Sequence, residues 1–233
     1  MDRFAFLILA ILPASIIQAQ NTADEVISSN LSFGLKIGFA ATGTYVGDAQ
    51  VNAVRFDDYR QDTQLGTFGM IHVGYGKNRI YLQSGIGMGA NRSAFYLEYP
   101  ETMFNGSSDM GFSYKMTNIM IPVQAGYNIV NQSPYRMSFY IGPKFRYILT
   151  DSYGFEALNP GNAEFHEYIK RNAIGLSMGM NVQIGRTFFE MEYEAGLTDI
   201  SDNAYAFEAD GTFHDMTLER RMGIFSFSYG ILF

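Results

Sequence analysis

The chain alternates. From about residue 31 to its last residue, eight segments carry apolar side chains at every second position, a period that in an extended strand gathers them all on one face. In the last segment Phe225, Phe227, Tyr229, Ile231 and Phe233 share one face while Ser226, Ser228 and Gly230 share the other. The first sets Phe33, Leu35, Ile37 and Phe39 against Gly34, Lys36, Gly38 and Ala40. The sixth sets Ile174, Leu176, Met178, Met180, Val182 and Ile184 against Gly175, Ser177, Gly179, Asn181 and Gln183. The seventh sets Phe189, Met191, Tyr193, Ala195 and Leu197 against Glu190, Glu192, Glu194 and Gly196. Segments near 66–76, 79–90, 115–129 and 136–149 alternate with more noise.

Nearly all of these runs reach the roughly 9 to 11 residues that a tilted strand needs to cross a bilayer, against about 5 to 6 for an ordinary strand. The connections add a rhythm. Tight turns fall at Gly76–Arg79, Val130–Tyr135 and Gly185–Arg186, and long stretches at 42–65, 91–114, 150–171 and 199–219. Long connections follow the odd segments and short ones the even, which puts every long loop on one side and both termini on the other. The fold predicted is all-β: an eight-stranded antiparallel transmembrane β-barrel. A soluble barrel of lipocalin type has the same period with its apolar face inward. The polar face favours the membrane alternative, because glycines interleaved with a few long polar side chains suit the narrow lumen of eight strands. Tyr75, Tyr127, Phe189 and Phe233 fall beside the short turns on the apolar face, where an aromatic girdle meets headgroups.

Residues 1–19 combine Arg3, an apolar run from Phe4 to Ile17 and the small Ala19, the pattern of a secretory signal peptide cut before Gln20. A short periplasmic segment, 20–30, and a barrel domain, 31–233, follow. The chain has no cysteine, which excludes disulfides, thiolate metal sites and cysteine nucleophiles, and its net charge of -7 argues against nucleic-acid binding.

Sorting the charges by predicted face gives a test. Lys36, Lys144 and Arg146 point into the lumen, as do Glu190, Glu192 and Glu194, so the interior balances to zero. Charges withdrawn from water must be paired. These six residues are therefore expected to form an ion-pair network that fills the lumen. The short turns carry only bases, Lys77, Arg79, Arg136 and Arg186, while the four long stretches carry -2, -2, -2 and -6, or -12 in all. In the last, with Asp199, Asp202, Glu208, Asp210, Asp215 and Glu219, a divalent cation could bridge carboxylates to one another or to lipopolysaccharide phosphates, but the stretch reads as a solvated acidic loop, since its spacing fits no EF-hand loop.

No catalytic, cofactor or metal site emerges. His72 lies mid-strand on the lumen face as a hydrogen-bonding residue, and His166 and His214 fall in the third and fourth long loops. A constellation of His214, Asp215 and Ser152 is conceivable on this topology, but no spacing supports it. Gly85–Gly89 continues a strand and precedes no helix, so it is not a phosphate-binding loop. Aromatic residues are numerous in the long stretches, as loop packing, as barrel extending above the membrane, or as a surface for a partner.

The five alternating positions ending in Phe233 resemble the terminal signal read by the outer-membrane barrel assembly machinery. Asn118-Ile119-Met120-Ile121-Pro122-Val123, Tyr140-Ile141-Gly142-Pro143 followed by Tyr147, and Gly196-Leu197-Thr198-Asp199-Ile200 resemble strand patterns of the outer-membrane β-barrel domain common in the Bacteroidetes, which includes the PorT-like proteins. The resemblance spans roughly 30–233 and implies an eight-stranded barrel in the outer membrane. Its PorT-like members are associated with protein secretion, but the resemblance implies no single activity. The expected role is non-enzymatic: a monomeric barrel with a plugged polar lumen, in contact with outer-membrane lipid and the assembly machinery. It would present acidic, aromatic external loops for binding or assisting a secretion or envelope complex. A lipid-modifying enzyme with a loop histidine and a small-solute channel are the alternatives.

Overall fold

Eight strands close on themselves because each has one face that lipid accepts and one that it does not. The computed structural model describes residues 31–51, 54–55, 59–77, 79–98, 109–157, 164–207 and 213–233; the signal peptide predicted at 1–19 and the 20–30 segment lie outside them. The strands are β1 (Leu31–Val51), β2 (Val54–Arg55), β3 (Tyr59–Lys77), β4 (Ile80–Glu98), β5 (Asp109–Gln132), β6 (Tyr135–Ala157), β7 (Glu164–Ile169), β8 (Asn172–Ile184), β9 (Thr187–Gly196), β10 (Ser201–Phe207) and β11 (Phe213–Leu232). The barrel order is β1-β3-β4-β5-β6-β8-β9-β11, closed by antiparallel pairing of β11 with β1. The eight predicted segments map onto these eight strands. The tight turns also fall where predicted: Gly185 supplies the positive φ (61°) that opens the two-residue turn between β8 and β9, and Ser133–Pro134, a cis peptide, joins β5 to β6.

The apolar face points outward. Phe39 is 60% exposed and Ile71 58%, whereas Lys36, Lys144 and Arg146 are buried inside. A lipocalin-like arrangement would reverse this. The girdle residues Tyr75, Tyr127, Phe189 and Phe233 are likewise on the outer surface.

The long stretches are where the structure departs from the sequence reading. Much of 42–65, 91–114, 150–171 and 199–219, predicted as loop, is strand that continues the barrel upward. Partway up, the wall divides. The β1–β3 ladder stops at Thr42↔Gln64, above which β1 runs on against β11 as far as Val51↔Met216 and β3 runs on against β4. Past Ile148, β6 stays with β5, while β7 pairs with β10. Among the described residues the outer end therefore consists of two sheets, β3-β4-β5-β6 and β7-β10-β11-β1-β2.

Along each long strand the period persists, but its chemistry inverts. On β5, Ile121 and Val123 face lipid with Asn118 and Gln124 inside; higher up, Met116, Tyr114 and Phe112 are buried inside while Lys115 and Ser113 are exposed. On β11, Phe225 and Phe227 are outside Ser226 and Ser228, and above them Met222 and Ile224 are inside Arg221 and Glu219. The solvent explains it: a wall facing lipid must be apolar outward, and a wall facing water must be apolar inward.

Candidate functional site in the barrel interior

Inward side chains fill the barrel in three levels. At mid-height three glutamates from β9 meet bases from β1 and β6. Lys36 pairs with Glu190, and Lys144 pairs with Glu192 and, at 3.3 Å, with Glu194. Arg146 grips Glu194 with two bonds, Nε to Oε1 at 2.7 Å and Nη2 to Oε2 at 2.6 Å, the fork geometry that makes arginine–carboxylate pairs strong. All six predicted network residues thus pair inside the barrel, the spacing of two on β9 stacking the carboxylates at successive inward positions. Amides carry the network across: Gln124 donates to Glu192 at 2.9 Å and to Ser177 Oγ at 2.6 Å, and Asn118 accepts from Arg146 at 2.8 Å. Asn118 in turn donates to Asn91 and Asn91 to Thr42, each at 2.7 Å. The lumen glycines make the room. A Cβ on Gly179 would stand 2.4 Å from the Tyr140 hydroxyl, and one on Gly175 2.8 Å from Glu194 Cγ.

Above this layer the interior turns apolar. Met116, Ile148, Ala173, Ile200, Met222 and Ile224 pack between the two outer sheets, beneath a stack in which Phe95 lies 4.8 Å from Phe112 and 5.7 Å from Tyr114 between ring centroids. One ion pair is sealed in this plug. Arg220 Nη2 donates to Glu167 Oε1 at 2.9 Å with both side chains 0% exposed, and the Tyr114 hydroxyl donates to the other oxygen. Arg220 Nε and Nη1 have no hydrogen-bond acceptor, and the guanidinium lies 3.8 Å from the Tyr114 ring centroid and 5.6 Å from that of Phe95, so ring faces supply what acceptors do not. A space of about 10 Å³, no more than a single water requires, lies beside Asn91, Lys144 and Arg146.

Below the network, at the end that carries the short turns, the barrel holds a cavity of about 360 Å³, lined in part by His72, Gln83, Asn128, Arg136, Gln183 and Phe188. Among the described residues no carboxylate lines it. His72 is on the lumen face as predicted, but its Nε2 has no hydrogen-bond partner; the ring packs 5.1 Å from Phe188 instead.

Sequence reasoning missed the plug and the Arg220–Glu167 pair, having placed Phe95, Tyr114 and Glu167 in external loops. The signal was present: the even positions 112, 114 and 116 continue the inward face of β5, and 220, 222 and 224 that of β11. The conceived His214, Asp215 and Ser152 constellation is divided between the sheets. The backbone of His214 pairs with Ala206 in one, that of Ser152 with Lys115 in the other, and the side chains of His166, His214 and Asp215 lie outside the described residues. Of the terminal residues, Phe225, Phe227 and Phe233 are exposed on the outer wall, Tyr229 and Ile231 half-buried beside them, and the Phe233 N–H bonds the Phe33 carbonyl at 2.9 Å, tying the end of the chain to β1.

Comparison with known proteins places this architecture. No curated protein sequence matches the chain. Among solved structures it is similar to the outer membrane protein OprG from Pseudomonas aeruginosa (12% identity, 87% of this chain and 95% of that one, TM-score 0.46). It is also similar to the outer membrane protease OmpT from Escherichia coli (11% identity, 87% and 97%, TM-score 0.47). The sequence profile described as "Outer membrane protein beta-barrel domain" matches residues 18–202, from ahead of β1 into β10. With most of its length under that profile and a closed eight-stranded wall with its apolar face outward, the chain belongs to the outer membrane protein beta-barrel domain family and resides in the outer membrane.

Proposed function

We propose that this protein is a closed, non-enzymatic barrel that holds a two-sheet lobe above the outer membrane, where the lobe binds or assists a secretion or envelope complex, as the PorT-like resemblance suggests. One observation carries the reading: among the described residues, ion pairs and amides, then an apolar plug, occupy the interior from Lys36 to Phe95. A transport role needs an open interior; a scaffold does not. The strand extensions fit a scaffold as well, since packed side chains hold the lobe in one conformation.

The test has two arms. In planar bilayers the purified protein should be electrically silent at voltages where small porins conduct, and stable unitary conductance would reject the closed barrel. Used as bait in a pull-down from intact outer membranes, it should recover a defined set of envelope proteins. That recovery should be lost when residues 208–212, which join β10 to β11, are replaced by a short Asn-Gly turn. Identical recovery from both forms would remove the lobe from the proposal.

A further inference from the structure

Above the apolar belt two outward-facing cations, Arg221 and Arg171, are paired with carboxylates among the described residues. Arg221 donates from Nε to Asp199 at 2.8 Å, and Arg171 lies 3.6 Å from Asp151 while donating to the Leu149 carbonyl at 2.7 Å. Across the barrel, on the wall formed by β4 and β5, the pattern breaks. Arg92 and Lys115 are directly opposite one another in the β4–β5 ladder, both exposed, and neither has an ion-pair partner among the described residues. Like charges at opposed positions repel, so this pairing costs stability unless an anion lies between them. The nearest outward carboxylate on the adjoining strand, Asp62, stands opposite Ala94, one outward position farther up, and makes no ion pair with Arg92.

Their height selects the anion. On β4 the outward positions run Ile86, Met88, Ala90, Arg92, and on β5 Val123, Ile121, Ile119, Thr117, Lys115. The two cations are thus the first charged residues met on leaving the hydrocarbon on the side of the barrel away from the termini. An anion held there must share the plane of the outer-leaflet headgroups. Opposed Cβ atoms are about 5 Å apart, so a guanidinium and an ammonium on flexible stems can close on one phosphate, arginine by two bonds and lysine as a point charge. We infer that Arg92 and Lys115 form a clamp for the phosphate of an outer-leaflet glycolipid. The reading is independent of any envelope complex, and no residue of the lumen takes part in it.

The test uses the full protein and an R92Q/K115Q variant, both extracted from outer membranes in one mild detergent, with the boiled-against-unboiled gel shift confirming that both are folded. Native mass spectrometry should find phosphorylated glycolipid on the parent protein and at least tenfold less on the variant, with R92K/K115R restoring it. After delipidation, the parent should rebind purified phosphorylated glycolipid but neither the same lipid after phosphatase treatment nor phosphatidylglycerol. Equal retention by the R92Q/K115Q variant, or equal rebinding of the dephosphorylated lipid, would overturn the clamp. Equal rebinding of phosphatidylglycerol would overturn its assignment to the glycolipid.

Discussion

The membrane half of the barrel and the lobe above it are built from the same strands with the same period, yet they are inside-out relative to one another. Around Glu192 the interior is charged and the exterior is Phe227 and Ile141; around Met116 and Ile148 the interior is apolar and the exterior of Met116's strand is Lys115 and Ser113. The difference teaches that alternation specifies only that a strand has two faces. Which face goes inward is set by the medium outside, and it changes within one strand as that strand leaves lipid.

The comparison can be broken most forcefully in the network. Glu194→Leu strands Arg146 in the filled lumen, leaving Lys144 only Glu192, and should cost about 3–5 kcal/mol, read as a lower urea midpoint for loss of the heat-modifiable band. Arg146→Met added to Glu194→Leu should recover much of that loss, because removing both charges is close to neutral where removing one is not. In the lobe the expected sensitivity is to volume. Met116→Ala should cost about 2–5 kcal/mol, while the protein stays silent in bilayers because the network below still closes the lumen. The outer wall separates the halves directly. Ile86→Arg, in the belt, should cost about 2–4 kcal/mol, the penalty of a cation on the lipid face near the bilayer midplane. Ser113→Arg, outward on β5 above the belt, should change stability by no more than about 0.5 kcal/mol by the same urea titration.

How much of this was legible beforehand follows from the same inversion. Strand number, order, turns and outward apolar face could be read because within the belt the two faces differ sharply, as in Phe225 to Phe233. The six lumen charges could be placed on the inward face because alternation sets Glu190, Glu192 and Glu194 on one side of β9 and Lys36, Lys144 and Arg146 on the same side of theirs. Above the belt the rule used to find strands was apolar-outward, and a segment such as 112–114, where Ser113 faces out and Phe112 and Tyr114 face in, was assigned to a loop. The cavity near His72 was illegible for another reason: it depends on where large side chains such as Phe188 and Tyr81 leave space, which spacing along one strand does not encode.

The inversion is measurable on one strand, because the chain has no native cysteine. Single cysteines at Val123, Ile121, Lys115 and Ser113, all outward on β5, can carry a fluorescent label in reconstituted vesicles. A lipid-borne quencher should darken the labels at 123 and 121 and leave those at 115 and 113 bright, while an aqueous quencher should do the reverse. Labels at 115 and 113 quenched from the lipid as strongly as those at 121 and 123 would contradict the account.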